Sequence, residues 1–225
     1  LQSQINPHFL YNTLESITWM VEAHKNTDAV FMISELAKLL RISLSKGRTI
    51  IKISDEIQHS RSYMNIQKVR YKERFKTEFI IDEEVNDYCI VKLVVQPILE
   101  NAIYYGVGNM DEDDGGKITV RGEKKDDDIY ITVEDNGMGM SEEVVDNILS
   151  DNEKVPKHGS GVGLTNVHNR IQLMFGSQYG LQVYSEPDEG TRIVIHIPAI
   201  PYNDQNRVEL EKQKYGKAKV TDEEK

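Results

Sequence analysis

Apolar residues recur along this chain with two different periods, and the change falls near residue 76. In the first part the period is helical. Leu10, Leu14, Ile17 and Val21 stand four, three and four residues apart, which lines them along one helix face. Ala29, Ile33, Leu36 and Leu40 repeat in the same way. The connection "AHKNTD" is short and polar, which predicts two antiparallel neighbours. Two helices bury little surface alone, so the hairpin is expected to pair with a second copy or to pack on the next domain. "LSKGRTI" interrupts the pattern. Ser54 then reads as an N-cap with Asp55 and Glu56 in the first turn, opening a helix through "EIQHSRSYMNIQKVRYKERF" that bridges the two parts.

From about Lys76 the grammar is mixed. "KTEFIID" alternates as a strand, and "GKITVRGEKKDDDIYITVED" reads as two strands around a charged turn. "CIVKLVVQPILENAIYYG" is apolar nearly all round and predicts a buried helix ending at Gly106. "SEEVVDNIL" is a short capped helix. "GVGLTNVHNRIQLMFG" opens on glycines and continues as a helix, and "GLQVYSEPDEGTRIVIHIP" is another strand pair. The class is α+β, with helices gathered on one face of a sheet. From about Pro201 the chain is polar and charged and reads as a frayed tail. The expected organisation is therefore a helical region over 1–75, an α/β domain over 76–200 and a disordered tail over 201–225.

Composition narrows the function. The chain has 225 residues and a net charge of −10, the wrong sign for a broad nucleic-acid surface. No apolar run approaches the ~18 residues of a membrane span. The chain begins with Leu1, which suggests a piece of something longer. The one cysteine, Cys89, sits among apolar neighbours and reads as a buried inert thiol. The acidic run "DEDDGG" invites a calcium reading. Counted from Asp111, however, positions five and twelve are Gly115 and Gly122, which carry no carboxylate.

Three stretches carry candidate chemistry. "EDNGMGM" holds Asp135, Gly137 and Gly139, and by itself it reads as a hairpin turn. "HGSGVGL" holds Gly159, Gly161 and Gly163 ahead of a helix, whose free amides can bind an anion. It matches neither the dinucleotide fingerprint nor a P-loop. "QPILENAIYYG" places Asn101 inside an otherwise apolar helix, where an unpartnered amide would cost ~1–3 kcal/mol.

In this order, these elements resemble the ATP-binding domain of the histidine kinase, Hsp90, MutL and gyrase superfamily, a GHKL-type (Bergerat) α/β sandwich. The resemblance implies that Asn101 binds magnesium and that Asp135 reads the adenine amino group. It further implies that Gly137, Gly139, Gly159, Gly161 and Gly163, with Leu164, flank a lid over the phosphates. Thr191 in "EGTRIVIHIP" matches a position near the adenine, and Arg170 stands as a phosphate contact or an ordinary surface arginine. The chemistry is coherent. A triphosphate needs a divalent ion with hard oxygen ligands, and a buried carboxylate selects the adenine amino donor.

The N-terminal part narrows the resemblance. "LQSQINPHFLYNTLESI", "ISELAKLLRISLSKG" and the bridging stretch are similar to sensor histidine kinases of the LytS/YesM group. That implies a dimerising four-helix bundle built from two hairpins, with His8 as the phosphoacceptor. Phosphate would pass from ATP to His8 and then to an aspartate of a response regulator receiver domain. The group also implies a membrane-anchored homodimer, with this portion on the cytoplasmic side of the membrane and the anchor in a segment outside this chain. At about 100° per residue, His8 lies roughly 150° from the centre of the Leu10–Leu14–Ile17–Val21 seam, on the face of Asn12 and Glu15.

Departures from the pattern matter too. Phe9 follows the histidine where many histidine kinases carry an acid, which leaves Glu15 and Glu100 as candidate bases. Asn12 stands where related kinases position water for phosphatase action. Tyr104 and Tyr105 occupy places where family members often carry Lys or His, so a phosphate-side cation is either missing or supplied by Lys154 or Lys157 in the lid. A competing expectation is an ATP-gated interaction module, a pseudokinase that binds nucleotide and transfers nothing. A hydrolase that releases phosphate to water is the third.

Overall fold

The computed structural model describes residues 7–44, 47–110, 115–149 and 160–220. Helices α1 (Pro7–Glu22) and α2 (Asn26–Ser43) form the expected antiparallel hairpin. The third helix, α3 (Ile53–Arg70), packs along α2 and reaches into the α/β layer.

The hairpin seam differs from expectation. The buried residues of α1 are Phe9, Thr13, Ile17 and Met20, a stripe rotated by roughly 75° from the predicted one. Leu14 and Val21 remain 46% and 51% exposed, and Ile33 of α2 is exposed as well. Thr13 takes a core position because its hydroxyl donates to Phe9 O at 2.7 Å, so no polar group is stranded. Phe9 lies against Tyr63 of α3 with ring centroids 5.2 Å apart.

A five-stranded sheet makes up the layer beyond α3. Its strands are β2 (Phe75–Ile81), β4 (Gly116–Lys125), β5 (Asp128–Asp135), β6 (Gly180–Glu186) and β7 (Gly190–Pro198), in the order β2-β4-β5-β7-β6. Only the β2–β4 pair is parallel. Alternate residues Ile118, Val120, Ile129, Ile131, Val133, Ile193, Ile195 and Ile197 form one inner face, as a period of two demands. Helices α4 (Gln96–Asn101) and α6 (Ser160–Phe175) belong to the layer packed with the sheet. Helix α6 buries Leu164, Val167, Ile171 and Met174, spaced three, four and three residues apart. Helix α5 (Glu142–Asn147) is short, as predicted.

Four further expectations are corrected. "CIV" is not helical: Cys89–Val91 is strand β3, paired with β1 (Ile50–Lys52), a strand that no sequence pattern discloses. A short apolar run of this kind reads equally as strand or helix. The helix that follows does not run uniformly to Gly106, because Ala102–Gly106 is a π turn. Ser54 is not the N-cap of α3, which begins one residue earlier at Ile53 after an extended Lys52. The stretch from Pro201 is not a frayed tail either, since Asp204–Val220 forms helix α7. Leu210 of α7 is buried, and Glu211 Oε1 accepts the Thr49 and Ile50 N–H groups at 2.8 and 3.2 Å, so this helix holds the linker that enters β1. Beside it, Cys89 N–H donates to Ile200 O at 2.8 Å and Tyr202 N–H to Asp87 O at 2.7 Å.

Candidate functional site

Helix α4, its π turn, strands β5 and β7, and residues near α5 and α6 enclose a cavity of about 330 Å³. Its walls are mainly apolar, with Ile98, Val133, Met138, Met140, Leu164 and Ile193 among them. Asn101, Tyr105, Asp135 and Thr191 supply the polar groups.

Asp135 arrives there by strand periodicity. Ile129, Ile131 and Val133 point inward along β5, and Asp135 is the next inward position. It is only 7% exposed. The Gly137 N–H donates to its Oδ1 at 2.9 Å, and the Thr191 N–H, directly opposite in the ladder, donates to the same carboxyl. Burial nevertheless wins and pushes its pKa from 3.8 up to about 6, with Glu134 adding to the rise. Glycines make the space. A Cβ on Gly106 would stand 2.6 Å from Asp135 Oδ1, and one on Gly137 would run into the Cα of Gly106. Gly139 is left-handed at φ +63°, where other residues are strained. Gly137 thus anchors the carboxylate from behind, while Gly106 and Gly139 form wall.

Asn101 closes α4. Its Nδ2 is buried and has no hydrogen-bond partner among the described residues. The π turn begins at the very next residue, and such single turns tend to mark functional positions. Asn101 thus offers an amide to the cavity where an unsatisfied polar atom is otherwise costly. The donor set fits a nucleotide carrying magnesium: an apolar slot, one buried acceptor for an amino group, and an amide with a hard oxygen.

Sequence reasoning missed Ser185. Its Oγ accepts the Met140 N–H at 2.8 Å, lies 2.8 Å from Gly190 O and 2.9 Å from Thr191 Oγ1. It therefore holds the loop after β5 against β7. Nothing but its inward register, opposite Thr191, could have marked it.

His8 lies on the exposed face of α1 and does not line the cavity. The Asn12 amide nitrogen stands 3.2 Å from its Nδ1 and 3.3 Å from its Nε2, so the i, i+4 pairing expected of the helix is present. Glu15 lines a different groove, shared with Trp19, Lys25 and Arg70. Glu100 is not part of the cavity wall; it accepts Gln96 Nε2 at 2.8 Å, and burial raises its pKa. Arg170 is not placed as a phosphate contact. Its guanidinium donates to the backbone oxygens of Lys92 and Leu93. Gly163 lies in the first turn of α6, one residue before the wall residue Leu164, and Gly161 belongs to the same turn. Gly159, Lys154, Lys157 and Asp111 fall outside the described residues. Among the described residues no cluster of His, Cys, Asp and Glu could hold a metal by itself, and no helix is long and apolar enough to cross a membrane.

Comparison with known proteins adds to this geometry. Residues 1–75 match the family described as "Histidine kinase", and residues 86–201 match "Histidine kinase-, DNA gyrase B-, and HSP90-like ATPase". The chain is 42% identical over 198 residues to the sensor histidine kinase YesM of Bacillus subtilis, covering 88% of this chain and 32% of that protein. It is 29% identical to the sensor histidine kinase BtsS of Escherichia coli, with coverages of 88% and 32%. It is also 29% identical to the sensor protein kinase HptS of Staphylococcus aureus, with coverages of 88% and 37%. The chain therefore spans about a third of the length of the curated relatives it matches. Among solved structures, the mycobacterial sensor histidine kinase MprB superposes with a TM-score of 0.51 at 18% identity, over 69% of this chain and 99% of that one. The catalytic domain of histidine kinase ThkA gives 0.51 at 18% identity, over 68% and 98%. At such identities the likeness speaks to the fold.

Proposed function

The chain belongs to the sensor histidine kinase family of two-component systems, and from that premise we propose that it transfers the γ-phosphate of ATP to His8 and thence to a response regulator aspartate. The observation that carries this reading is the buried Asp135 in an apolar cavity that also receives the unpartnered Asn101 amide. A carboxylate held at the end of such a slot accepts the adenine amino group and rejects an oxo group at the same place. Asn101 would hold magnesium through its amide oxygen, and that ion spreads the charge of the triphosphate.

The lone pair of one imidazole nitrogen of His8 forms the N–P bond. The bond from the γ-phosphorus to the bridging oxygen of ADP breaks, and the proton on the other ring nitrogen is released. Asn12, whose amide already reaches the ring, orients it, and in a separate phosphatase reaction would position the water that hydrolyses a phosphorylated regulator. Because His8 is not in the cavity wall, the α/β layer and the hairpin must approach one another for transfer, within one chain or between two.

The exposed apolar residues of the hairpin, Tyr11, Leu14, Val21, Val30 and Ile33 among them, support a homodimer through α1 and α2. The names of the relatives support a sensor role, and the reading places a membrane anchor in a segment outside this chain, with this portion on the cytoplasmic side. The domain limits proposed are a phosphoacceptor region over 1–75 and an ATP-binding domain over 76–200. The interaction module that transfers nothing draws no support from the comparisons.

One experiment tests the transfer. The chain is incubated with γ-labelled ATP and magnesium beside His8→Gln. Acid-labile, base-stable label on the wild type alone is expected. Saturable nucleotide binding without label would overturn the kinase reading in favour of the module, and phosphate release that survives His8→Gln would point to a hydrolase.

A further inference from the structure

Residues 92–95 connect β3 to α4, the helix that carries Asn101, and they are held from three sides. From α3, Glu56 is fully buried and receives three backbone N–H groups: Leu93 on Oε2 at 2.8 Å, and Val94 and Val95 on Oε1 at 2.9 Å each. Both carboxylate oxygens are thereby used as acceptors on the free amides ahead of α4. From α6, Arg170 donates to the carbonyls of Lys92 and Leu93 and lies close enough to Glu56 for the two charges to act on each other. From the hairpin, the Lys92 ammonium, 2% exposed, donates to Ser43 O at 3.0 Å. Ser43 is the last residue of α2, and its Oγ lies 2.9 Å from His59 Nε2.

Three polar side chains at one tetrapeptide, Glu56 and Lys92 buried and Arg170 partly so, are costly to assemble and bring no catalytic group to the cavity. What they share is position. Arg170 lies on α6, six residues beyond the wall residue Leu164, and Glu56 and Lys92 tie the start of α4 to α3 and to the end of α2. We infer that Glu56, Arg170 and Lys92 are positioning residues for phosphotransfer, forming a junction through which α4 and α6, two of the helices that wall the nucleotide cavity, set the placement of the phosphoacceptor hairpin. This rests on the kinase reading for its enzymatic consequence but not for its mechanical one. A ligand that shifts α4 against α6 must drag residues 92–95, and these are bonded to the C-terminal carbonyl of α2.

Lys92→Met is the cleanest probe. It keeps the stem that fills the site and removes only the donor to Ser43 O. Glu56→Gln is the stronger probe, since it replaces one acceptor oxygen by a donor amide facing N–H groups. The chain has a single tryptophan, Trp19, on α1 and far along the sequence from the cavity residues, so its emission reports on the hairpin. Nucleotide affinity, Trp19 emission on adding magnesium and ADP, and the initial rate of label transfer from ATP to His8 are measured on the same proteins. The wild type is expected to change its emission on saturation. Lys92→Met is expected to bind nucleotide within threefold of wild type, to lose most of the emission change, and to label His8 at least tenfold more slowly at saturating ATP. Glu56→Gln with Arg170→Met should be no worse than Glu56→Gln alone, because one junction is broken in both. The inference is overturned if wild-type emission ignores nucleotide, or if folded Lys92→Met keeps both the emission change and the saturated rate. A wild type that responds in emission and never labels His8 would sink the kinase reading and leave the junction standing.

Discussion

Helices α1 and α6 are both 16 residues long, and their apolar residues meet opposite fates. Helix α6 hides Leu164, Val167, Ile171 and Met174, none more than 3% exposed, and leaves Leu173 outside at 40%. Helix α1 hides one stripe and leaves Tyr11, Leu14, Trp19 and Val21 about half exposed or more. Helix α6 is finished by its own chain and α1 is not. The polar exceptions run the other way. In the α/β layer they are buried at Asp135 and at the Asn101 Nδ2, and Glu56 of α3 is buried where it meets that layer. On the hairpin Thr13, Glu35 and Ser43 are buried with partners of their own, whereas His8 is exposed and Asn12 half-buried. A missing neighbour shows itself as apolar surface left outside, whereas a missing ligand shows itself as a polar group left inside.

Substitutions at matched positions give the sharpest break of that comparison. Val167→Asp places a carboxylate among core residues and is expected to cost upwards of about 4 kcal/mol, enough to abolish cooperative unfolding in a urea titration. Val21→Asp is expected to change chain stability by no more than about 0.5 kcal/mol while weakening self-association, read by sedimentation at graded concentration. Equal losses from the two would erase the distinction.

Next in size is the response of the joint between the regions to acid. Burial, with the Lys92 charge beside it, lowers the His59 pKa from 6.5 to about 4. A depressed folded value means that stability is present above about 6.5 and is lost as pH falls toward 4, on the order of 3 kcal/mol in full. Urea midpoints at pH 7 and 4.5 check this, and His59→Gln should flatten the slope.

The cavity around Asp135, read as the nucleotide site, predicts a smaller effect of opposite character. Asp135→Asn is expected to weaken nucleotide binding roughly 30- to 100-fold by calorimetry. It should not lower the melting temperature of the free protein. The Asp135 pKa is raised to about 6, so its contribution to stability is full below about 3.8 and is lost as pH rises through 6, and the charged form at neutral pH strains the fold. Smallest is the pH dependence of binding itself. The bound state needs the carboxylate ionised, so affinity should fall about tenfold from pH 7 to pH 5, and Asp135→Asn should lack that slope.

Much of the α/β layer is legible in the sequence because alternation of apolar residues states both the strand and the face. Asp135, Thr191, Gly139, Leu164 and Asn101 are singled out instead by the resemblance to the ATP-binding superfamily, and they do meet in one cavity. The hairpin is legible as helix but not in orientation. Leu10, Leu14, Ile17 and Val21 form a true apolar seam, yet Ile17 turns to its own chain and Leu14 and Val21 do not, and periodicity states no partner. "CIV" misleads because three buried residues have no measurable period. Glu56 has the sequence position of a first-turn acid that complements its own helix. Its bonds instead reach amides 37 to 39 residues away, which no local pattern records. The role of Arg170 escapes the sequence for the same reason.

Strand β3 has a further consequence, in time rather than in space. It is paired on one side by β1, and its first residue bonds Ile200, while the Cys89 thiol lies 3.7 Å from Pro201 O across 112 residues of sequence. A growing chain that has passed α4 and even β5 still lacks the backbone that covers β3. The pairing is among the most non-local in the molecule, and such closures come late and slowly. On the ribosome the two helices of the hairpin, whose contacts with each other are local, would pair long before the α/β layer can close, leaving their apolar face available to a second nascent copy while the Asp135 cavity is still unformed.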